Sequence, residues 1–490
     1  MTNTTIVPAQ STEALSITCN DAACANPEDE APADFTYEDG VLKWDSAEIR
    51  DDDVITVINT LGGTAEYTIF SLEPEKTAEE KAAEEKSDGK GDGEEEEPER
   101  PFKLRTTNAM ILPQKFLEKF QFQSLPPYLQ AAKDVYVLIS TLSGTGLSIS
   151  FFEDILHPIL RAISFEDSKY TVTRTKSSDS VKEFTQFHLI DGANEGKEQV
   201  VMVLSGDGGI VDTINALLQG NERSSSYVKP TFVQFPLGTG NALFHSLHKA
   251  SPIPSIYIQA LRTFLHGTPK ALPIFKAKFS PGARLLSNEG ETATPLPNDS
   301  IYGAVVASHG LHSTLVADSD TTEYRKHGAK RFGLVANDLL FPKDGSPHAY
   351  QTDVTLIQGS KETPLERKEH GYVLATLVSN LEKTFLISPE SKPFEPALRV
   401  VHFGPLSGEE TMGIMMAAYD NGRHLKNGNV GYEKVDGLRI GFRGEDGEEE
   451  LEGRWRRCCI DGTIVRVEEG GWMDVRVLKE GEEAISVVAG

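Results

Sequence analysis

The sequence predicts an α/β domain with a parallel sheet, followed by an all-β domain of antiparallel, sandwich-like strands and preceded by a small β-rich module. Three observations favour this fold class. Over residues 131–266, apolar runs that end in glycine turns alternate with helical segments, which is typical of β-α-β units. Over residues 267–490, short apolar segments are separated by turn-forming stretches, as in antiparallel sheets. Residues 1–130 contain short strand-like segments around one charged tract.

The N-terminal module, residues 1–130, is predicted to be a small sheet closed by one helix. Strands are expected at Val41–Trp44, Val54–Leu61, Tyr67–Leu72 and Phe102–Arg105, and the helix at Pro113–Phe122. Residues 73–100 are almost wholly Glu, Lys, Ala, Gly and Asp, so they cannot bury enough apolar surface to offset chain entropy. We therefore expect a disordered acidic insertion there. The module could bind a membrane or a partner, and packing is the interpretation we favour.

Four strand-turn-helix units make up the predicted α/β domain, residues 131–266. Its strands are expected at Val135–Ile139, Tyr170–Thr173, Gln199–Leu204 and Thr231–Phe235. Its helices are expected at Ser148–Ile163, Ser178–Leu189, Val211–Leu218 and Ala242–His248. The apolar, partly β-branched strands indicate burial on both faces of a parallel sheet.

The C-terminal domain, residues 267–490, is predicted to consist of antiparallel strands. They are expected at Ile274–Phe279, Gly303–Ser308, Val354–Ile357, Tyr372–Val378, Leu398–Phe403 and Met473–Leu478. Two polar, glycine-containing stretches, Asn288–Ser300 and Gly441–Glu450, are predicted to be surface loops.

Composition argues against several classes of protein. The chain has 490 residues and a net charge of −26, which disfavours nucleic-acid binding. No apolar run approaches the length of a transmembrane helix, and residues 1–11 lack a signal-peptide core. The four cysteines, Cys19, Cys24, Cys458 and Cys459, are too few for a disulfide scaffold and fit a reducing cytosol. We expect a cytoplasmic protein, and the oligomeric state stays open.

Three glycine loops follow predicted strands and point to phosphate binding. They are Ser143-Gly144-Thr145-Gly146, Ser205-Gly206-Asp207-Gly208-Gly209 and Gly238-Thr239-Gly240-Asn241. Glycine lets backbone N–H groups approach phosphate oxygens closely, and a following helix favours an anion at its N-terminus. Neither the Walker A pattern nor Gly-x-Gly-x-x-Gly is present. Three such loops in succession therefore predict a nucleotide site of another kind.

The residues around Asp207 resemble a known family. Ser205-Gly206-Asp207-Gly208, followed by Pro236-Leu237-Gly238-Thr239-Gly240-Asn241-Ala242, is similar to the catalytic domain of sphingosine, ceramide and diacylglycerol kinases. Ser205 and the Gly-Asn-Ala run look closer to the sphingosine kinase branch. Looser similarity extends from Asp134 to the C-terminus and includes the family's lipid-facing segment, which begins here at His309. The resemblance implies an α/β nucleotide domain, a lipid-binding β-sandwich and a cleft between them.

The resemblance also implies roles for individual residues. Asp207 would accept the proton of the substrate hydroxyl and help to organise Mg-ATP, in keeping with phosphoryl transfer. Asp318 or Asp320 would hold an amino group or hydroxyl of a lipid. ATP and Mg²⁺ are the implied cofactors, and no metal ligand is assigned. The residues expected at the nucleotide are Ser140, Ser143, Gly144, Gly146, Ser205, Gly206, Gly208, Gly209, Gly238, Thr239, Gly240, Asn241, Arg325, Arg331 and Thr463.

Two positions depart from the family pattern. The family's first loop usually begins Asn-Pro, where this chain has Ser140-Thr141. Near the C-terminus the family has Asp-Gly-Glu, where this chain has Asp461-Gly462-Thr463. Threonine cannot act as a base at neutral pH, and Glu468 or Glu469 lies too far along the next strand to replace the glutamate.

His309, His312 and the Cys458–Cys459 pair lie near these motifs. We expect the two histidines to be neutral packing or surface residues rather than acid–base groups. The two cysteines are expected to pack rather than to react.

These observations predict an ATP-dependent lipid kinase that meets its substrate at a membrane surface without spanning the membrane. Its acceptor would be a hydroxyl of a sphingoid long-chain base or of a related lipid such as diacylglycerol or ceramide. Thr463 and Ser140 motivate an alternative, a catalytically impaired nucleotide- or lipid-binding pseudokinase. A kinase of a soluble substrate such as NAD is a third hypothesis, because such enzymes share a glycine-aspartate-glycine loop.

Overall fold

The structure is a computed structural model. It describes residues 34–60, 66–73, 100–141, 144–220, 222–249, 251–328, 330–343, 345–443 and 453–490. The predicted disordered insertion, residues 73–100, falls almost entirely outside these ranges, as do Cys19, Cys24 and Ser143.

The N-terminal module contains two three-stranded antiparallel sheets. The first consists of Thr36–Glu38, Val41–Trp44 and Ala47–Arg50, and the second of Val54–Asn59, Tyr67–Leu72 and Leu104–Ala109. The helices Gln114–Phe120 and Pro127–Ala131 follow. The predicted strand at Phe102–Arg105 begins two residues later than expected, because Phe102 itself packs against the next domain.

Side chains of the α/β domain fix the module in place. Arg262 donates hydrogen bonds to the carbonyl oxygen of Val54, one of them 2.8 Å long. The ring of Phe102 packs edge-on against Phe151 and Tyr257, with each pair of centroids 5.2 Å apart. These are the contacts of a module that packs on its neighbour.

A six-stranded sheet forms the centre of the α/β domain. In spatial order its strands are Thr268–Ala271, Ser486–Ala489, Thr231–Pro236, Gln199–Ser205, Asp134–Ile139 and Thr171–Arg174. The last five are parallel, and Thr268–Ala271 is antiparallel to its neighbour. Every residue of Gln199–Ser205 is buried, as expected for a central strand covered on both faces.

The final strand corrects the predicted division of the chain. Ser486–Ala489 pairs in parallel with Thr231–Pro236 in the α/β sheet, although the sequence analysis placed all of residues 267–490 in the β domain. The strand Ser486–Ala489 has only four residues, so its pattern of apolar and polar residues is too short to indicate which sheet it joins. Ile485 and Val487 are buried in an apolar cluster formed by the α/β domain together with the C-terminal part, and this burial holds the strand there.

Helices cover both faces of this sheet. Two of them contain a π-helical stretch: Ser148–Phe151, Phe152–Leu156 and His157–Ala162 are continuous, as are Ser180–Phe184, Thr185–Leu189 and Ile190–Asn194. The others are Asp207–Leu218, Ala242–Leu247 and Ile256–His266. The predicted helices are confirmed, with two differences: the one expected from Val211 begins at Asp207, and the one expected to end at Leu189 continues to Asn194.

The C-terminal part contains two antiparallel sheets that share one apolar core. The first contains Ser300–Gly303, Phe275–Phe279, Trp472–Val477, Gly437–Phe442, Tyr350–Gln358, Lys361–Pro364 and, paired with Tyr350–Gln358, Glu369–His370. The second contains Thr292–Pro295, Arg284–Ser287, Thr463–Arg466, Arg457–Ile460, Val306–Gly310, Tyr372–Thr376, Leu398–Phe403 and Gly431–Val435. The predicted antiparallel character is confirmed.

Three details of this part differ from the prediction. The strand expected at Gly303–Ser308 is broken at Ala304, and its halves join different sheets. The loop expected at Asn288–Ser300 includes the strand Thr292–Pro295, and most of the loop expected at Gly441–Glu450 lies outside the described residues. The all-β prediction also missed the helices Leu311–Ser319, Thr322–Arg325, Lys330–Leu340 and Gly408–Tyr419. Within the described ranges, no helix has both the length and the apolar composition needed to cross a membrane.

Candidate active site

The backbones of three glycine loops touch one another at one edge of the α/β sheet. A Cβ atom built on Gly144 would lie 2.6 Å from the Cα atom of Gly238, and one built on Gly206 would lie 3.0 Å from it. Real side chains do not tolerate the first distance, so Gly144 must be glycine for the loops to close. The loops meet because their strands are neighbours in a parallel sheet and end at the same edge.

Asp207 links the second loop to the third. It is the first residue of the helix Asp207–Leu218, and its carboxylate accepts hydrogen bonds from the backbone N–H groups of Ala242 (2.7 Å) and Leu243 (3.1 Å). The side-chain amide of Gln234 lies 3.4 Å away. Burial raises the pKa of Asp207, and these hydrogen bonds oppose the rise. Asp207 therefore caps the helix Ala242–Leu247 and remains a stronger base than an exposed aspartate.

Asn241 shapes the third loop. Its backbone is left-handed, with φ of 51°, and its side chain is buried. Its amide accepts a hydrogen bond from the N–H of Gly238 and donates one to the carbonyl of the same residue, each 2.9 Å long. The resemblance implies contact of Asn241 with the nucleotide, and that contact stays a prediction.

One face of the helix Asp207–Leu218 runs from the glycine loops to a contact with the C-terminal part. Gly208, Asp212 and Asn215 are spaced by four and three residues, so they lie on the same face. Asn215 exchanges two hydrogen bonds with the backbone of Tyr302 in the C-terminal part, at 2.8 and 2.9 Å. Gly208 and Asp212, nearer the start of the helix, are exposed. The C-terminal part therefore covers one end of this face and leaves the end beside the glycine loops open.

Asp212 is a second carboxylate, on the open part of this helix face, that the sequence analysis did not single out. Protein around it raises its pKa to about 6. It accepts no hydrogen bond from a described residue. Its spacing from Gly208 on a predicted helix was the signal that could have revealed it.

Asp461 brings a third carboxylate from the C-terminal part. With Gly462 it forms the two-residue turn between the strands Arg457–Ile460 and Thr463–Arg466, and both residues have positive φ. Its carboxylate accepts hydrogen bonds from the backbone N–H groups of residues 304–306, at 2.5–3.2 Å. These bonds stabilise the point where the predicted strand at Gly303–Ser308 breaks.

The carboxylates of Asp461 and Asp207 interact electrostatically. Burial raises the pKa of Asp461 to about 7, and the negative charge of Asp207 contributes to the rise. The sequence analysis considered this turn only through Thr463, so it missed Asp461. An Asp-Gly pair between two strand-like segments was the available signal.

The family comparison agrees with this geometry. Residues 134–277 match the family model described as the diacylglycerol kinase catalytic domain. The chain contains a diacylglycerol kinase catalytic domain. It is therefore a kinase, and the matched range includes all three glycine loops and Asp207. No curated protein matches the chain significantly.

Solved structures of kinases are similar to this chain. A putative diacylglycerol kinase from Bacillus anthracis str. Sterne is 15% identical, with a TM-score of 0.46, and the similarity covers 73% of this chain and 97% of that one. Yeast NADH kinase complexed with NADH is 11% identical, with a TM-score of 0.34, over 74% of this chain and 84% of that one.

The remaining loop residues of the catalytic domain divide into packed and open positions. Ser205 is buried, and a Cβ atom on Gly209 would lie 3.0 Å from its hydroxyl oxygen. The backbone N–H of Ser140 donates to Leu204. Thr239 is exposed, whereas a Cβ atom on Gly240 would lie 3.1 Å from the carbonyl oxygen of residue 381. No described atom lies within 4 Å of a Cβ built on Gly146 or Gly208. The open edge of the loops is therefore at residues 146 and 208.

Both aspartates predicted to bind the lipid, Asp318 and Asp320, form ion pairs with arginines. The partners of Asp320 are the two arginines predicted to bind phosphate. Asp320 accepts two hydrogen bonds from Arg325, of 2.7 and 3.0 Å, and lies 3.7 Å from Arg331. Asp318 pairs with Arg454 and Arg457, at 2.5 and 2.9 Å. Contact of Arg325 and Arg331 with phosphates stays a prediction. The sequence analysis did not anticipate Arg454 or Arg457.

Of the residues expected to play no acid–base role, His309, Cys458 and Cys459 are buried and His312 is half-buried. Burial lowers the pKa of His309 and of His312 to about 4, so both are neutral near pH 7. Cys458 and Cys459 are fully buried in a strand, and burial raises their thiol pKa values. The packing interpretation of these four residues is confirmed. Thr463 begins the strand after the Asp461 turn and is partly exposed.

Within the described residues, no group of three or more His, Cys, Asp or Glu side chains could hold a metal ion. A Mg²⁺ ion that is bound mainly by substrate phosphates needs only one or two protein carboxylates. The site fits that kind of metal binding, because Asp212 offers an uncommitted carboxylate beside the open edge of the loops.

Proposed function

We propose that this chain is an ATP-dependent lipid kinase that phosphorylates a hydroxyl of a sphingoid long-chain base or of a related lipid such as diacylglycerol or ceramide. The observation that carries the proposal is the meeting of three glycine loops beside the carboxylate of Asp207. The name of the matched family supports a lipid acceptor.

The phosphates of ATP would lie along the open edge at Gly146 and Gly208. Gly208 is the second residue of a helix, so its N–H group is among those that no helical carbonyl accepts. Such groups, together with the helix dipole, bind anions. A phosphate oxygen can come close because glycine carries no side chain. Mg²⁺, held by Asp212 and the phosphates, would neutralise charge on the transferred group.

Asp207 would accept the proton of the attacking hydroxyl. A carboxylate has about four lone-pair directions, and two backbone N–H groups leave some of them free. The raised pKa of Asp207 strengthens it as a base, because proton transfer is more favourable to a base whose pKa is nearer the working pH.

The direct experiment is transfer of labelled phosphate from ATP. Wild-type protein is incubated with Mg-ATP and with a sphingoid base, a ceramide or a diacylglycerol in mixed micelles. At least one lipid is expected to be phosphorylated, and Asp207→Asn should lower the rate by about 100-fold or more, the usual contribution of a general base. Asp179→Asn, an exposed aspartate before the helix Ser180–Phe184, is the matched control and should leave the rate unchanged.

The same experiment separates the alternatives. ATP binding without transfer to any lipid would support a pseudokinase, which Thr463 motivates. Phosphorylation of NAD in detergent-free buffer, with every lipid unreactive, would support a kinase of a soluble substrate. Either result would overturn the proposed lipid kinase.

A further inference from the structure

The third glycine loop leads into a helix that carries a buried serine. Gly238 of this loop contacts the backbones of both other loops, so the position of the third loop affects all three. The helix Ala242–Leu247 follows, and the N–H group of Ala242 donates to the carboxylate of Asp207. Ser246, one turn later, donates a hydrogen bond of 2.8 Å to the carbonyl oxygen of Ala242. Ser246 therefore contacts a residue that holds the proposed base in place.

The Ser246 hydroxyl also binds the C-terminal part. Its oxygen accepts hydrogen bonds, each 3.1 Å long, from the backbone N–H groups of Ser379 and Asn380. All three residues are buried: Ser246 is 4% exposed, Ser379 1% and Asn380 7%. A hydroxyl has one proton and two lone pairs, and these three bonds use all of them. The serine is therefore a fully hydrogen-bonded bridge between the helix after the third loop and the C-terminal part.

The backbone after Asn380 lies directly against the third loop. A Cβ atom built on Gly240 would lie 3.1 Å from the carbonyl oxygen of Leu381. The side chain of Asn380 fixes this stretch, because its amide accepts a hydrogen bond of 2.7 Å from the hydroxyl of Ser379 and donates one of 3.4 Å to the carbonyl oxygen of Lys383. This stretch therefore supports one side of the third loop.

The same stretch is connected to Asp461. The hydroxyl of Thr376 donates a hydrogen bond of 2.8 Å to the carbonyl oxygen of Val305. The N–H group of Val305 donates to the carboxylate of Asp461 at 3.1 Å. A short path of backbone and hydrogen bonds therefore runs from Asp461 to Ser246 and on to Asp207.

Packing around Ser246 is tight. The cavity beside it has a volume of about 20 Å³, which is room for about one water molecule. Phe394 lines the same cavity, and its backbone is left-handed, with φ of 64°. A bulky residue adopts that conformation only where its surroundings enforce it. The contact between the two parts of the chain at Ser246 therefore has one closely defined geometry.

We propose that Ser246 is a positioning residue of the ATP site: its hydroxyl holds the third glycine loop and Asp207 against residues 379–381 of the C-terminal part. The inference rests on the proposed function, since it concerns the ATP site of the same kinase. A loop that is already held in its binding geometry need not be ordered by ATP, so the affinity for ATP is higher. Without the hydroxyl, two buried N–H groups would have no acceptor, and the loop would move until water or another group satisfied them.

Ser246→Ala removes the bridge and keeps a good helix-forming residue. Its Kd for a non-hydrolysable ATP analogue should be about tenfold higher than that of wild-type protein, because the unpaired N–H groups disturb the loop. Its KM for ATP should rise likewise, whereas the KM for the lipid should stay unchanged. Ser246→Thr keeps the hydroxyl and should bind the analogue with nearly wild-type affinity. Ser246→Cys, whose thiol accepts hydrogen bonds weakly, should shift the Kd less but in the same direction.

Ser280→Ala is the matched control. Ser280 is also 4% exposed, and its hydroxyl accepts a hydrogen bond of 2.9 Å from the N–H group of Trp472, in a sheet of the C-terminal part. This variant should lower the midpoint of urea unfolding as Ser246→Ala does, and it should leave binding of the analogue unchanged.

Hydrogen–deuterium exchange keeps this inference separate from the proposed function, because it needs no ligand. In ligand-free protein, peptides that contain residues 238–243 should exchange faster in Ser246→Ala and Ser246→Cys than in wild-type protein or Ser280→Ala. That result, together with absence of phosphate transfer from ATP to any lipid, would overturn the proposed function and leave the positioning role in place. Wild-type exchange in these peptides and wild-type affinity for the analogue in folded Ser246→Ala or, where alanine prevents folding, in Ser246→Cys would overturn the inference. Equal losses of affinity in Ser246→Thr and Ser246→Ala would also overturn it, because they would assign the effect to packing.

Discussion

Replacing Gly208 with alanine is expected to weaken ATP binding without weakening the fold. Gly208 lies in the first turn of the helix Asp207–Leu218, its φ is not positive, and no described atom lies within 4 Å of the added Cβ atom. The free protein therefore has room for the methyl group. The nucleotide does not, because a phosphate oxygen bound to this N–H group would occupy the same space.

The substitution should affect stability and ATP affinity in opposite directions. Alanine in place of glycine stabilises a helix by up to about 1 kcal/mol, so the free energy of unfolding should stay level or rise. Loss of hydrogen bonds to a charged phosphate costs about 1.5–3 kcal/mol, which corresponds to a Kd for ATP about 10- to 100-fold higher.

Urea unfolding measures the first effect, and isothermal titration with a non-hydrolysable ATP analogue measures the second. Gly413→Ala is the matched control, since Gly413 lies in the helix Gly408–Tyr419 with equal space around it. It should stabilise the protein similarly and leave ATP binding unchanged. Wild-type affinity for ATP in folded Gly208→Ala would refute the placement of the phosphates.

Three further predictions concern the fold around the site. Gly238→Ala places a Cβ atom against the Gly206 backbone, so it should lower the free energy of unfolding in urea by about 1–3 kcal/mol. An unchanged value would contradict the close approach of the loops. Asn215→Ala leaves the backbone of Tyr302 without two hydrogen bonds and should cost about 1–3 kcal/mol in the same measurement, whereas no loss would contradict this contact between the domains. The folded pKa of His309 is about 4 and the unfolded one about 6.5, so the unfolded chain binds more protons between these values and stability falls as the pH falls. Between pH 7 and pH 5, protonation of this histidine in the unfolded chain should lower the free energy of unfolding by about 2 kcal/mol. His309→Gln should abolish this loss, whereas His327→Gln, at an exposed histidine, should leave it in place.

The α/β domain and its loops could be predicted from sequence because the signals are local. Every residue of Gln199–Ser205 is buried, so the strand is an almost uninterrupted apolar run that stops at Gly206. Parallel neighbours end at one edge of their sheet, which is why three separate glycine loops could be expected at one site.

Long-range contacts explain what the sequence did not predict. Asp318 pairs with Arg454 across 136 residues, and neither residue stands out from other surface charges in the sequence. Asp461 acquires its importance from the backbone of residues 304–306, which no local pattern reveals. Polar residues interrupt Leu311–Ser319, so the helix was overlooked among the surrounding strands.

Hydrogen–deuterium exchange with and without a non-hydrolysable ATP analogue and Mg²⁺ tests the central claim most directly, because the claim concerns backbone N–H groups. The account predicts slower exchange in peptides that contain residues 144–146, 206–209 and 238–243, and no slowing in the sheets of the C-terminal part away from the Asp461 turn. Unchanged exchange in all three loops at a saturating concentration of the analogue would contradict it.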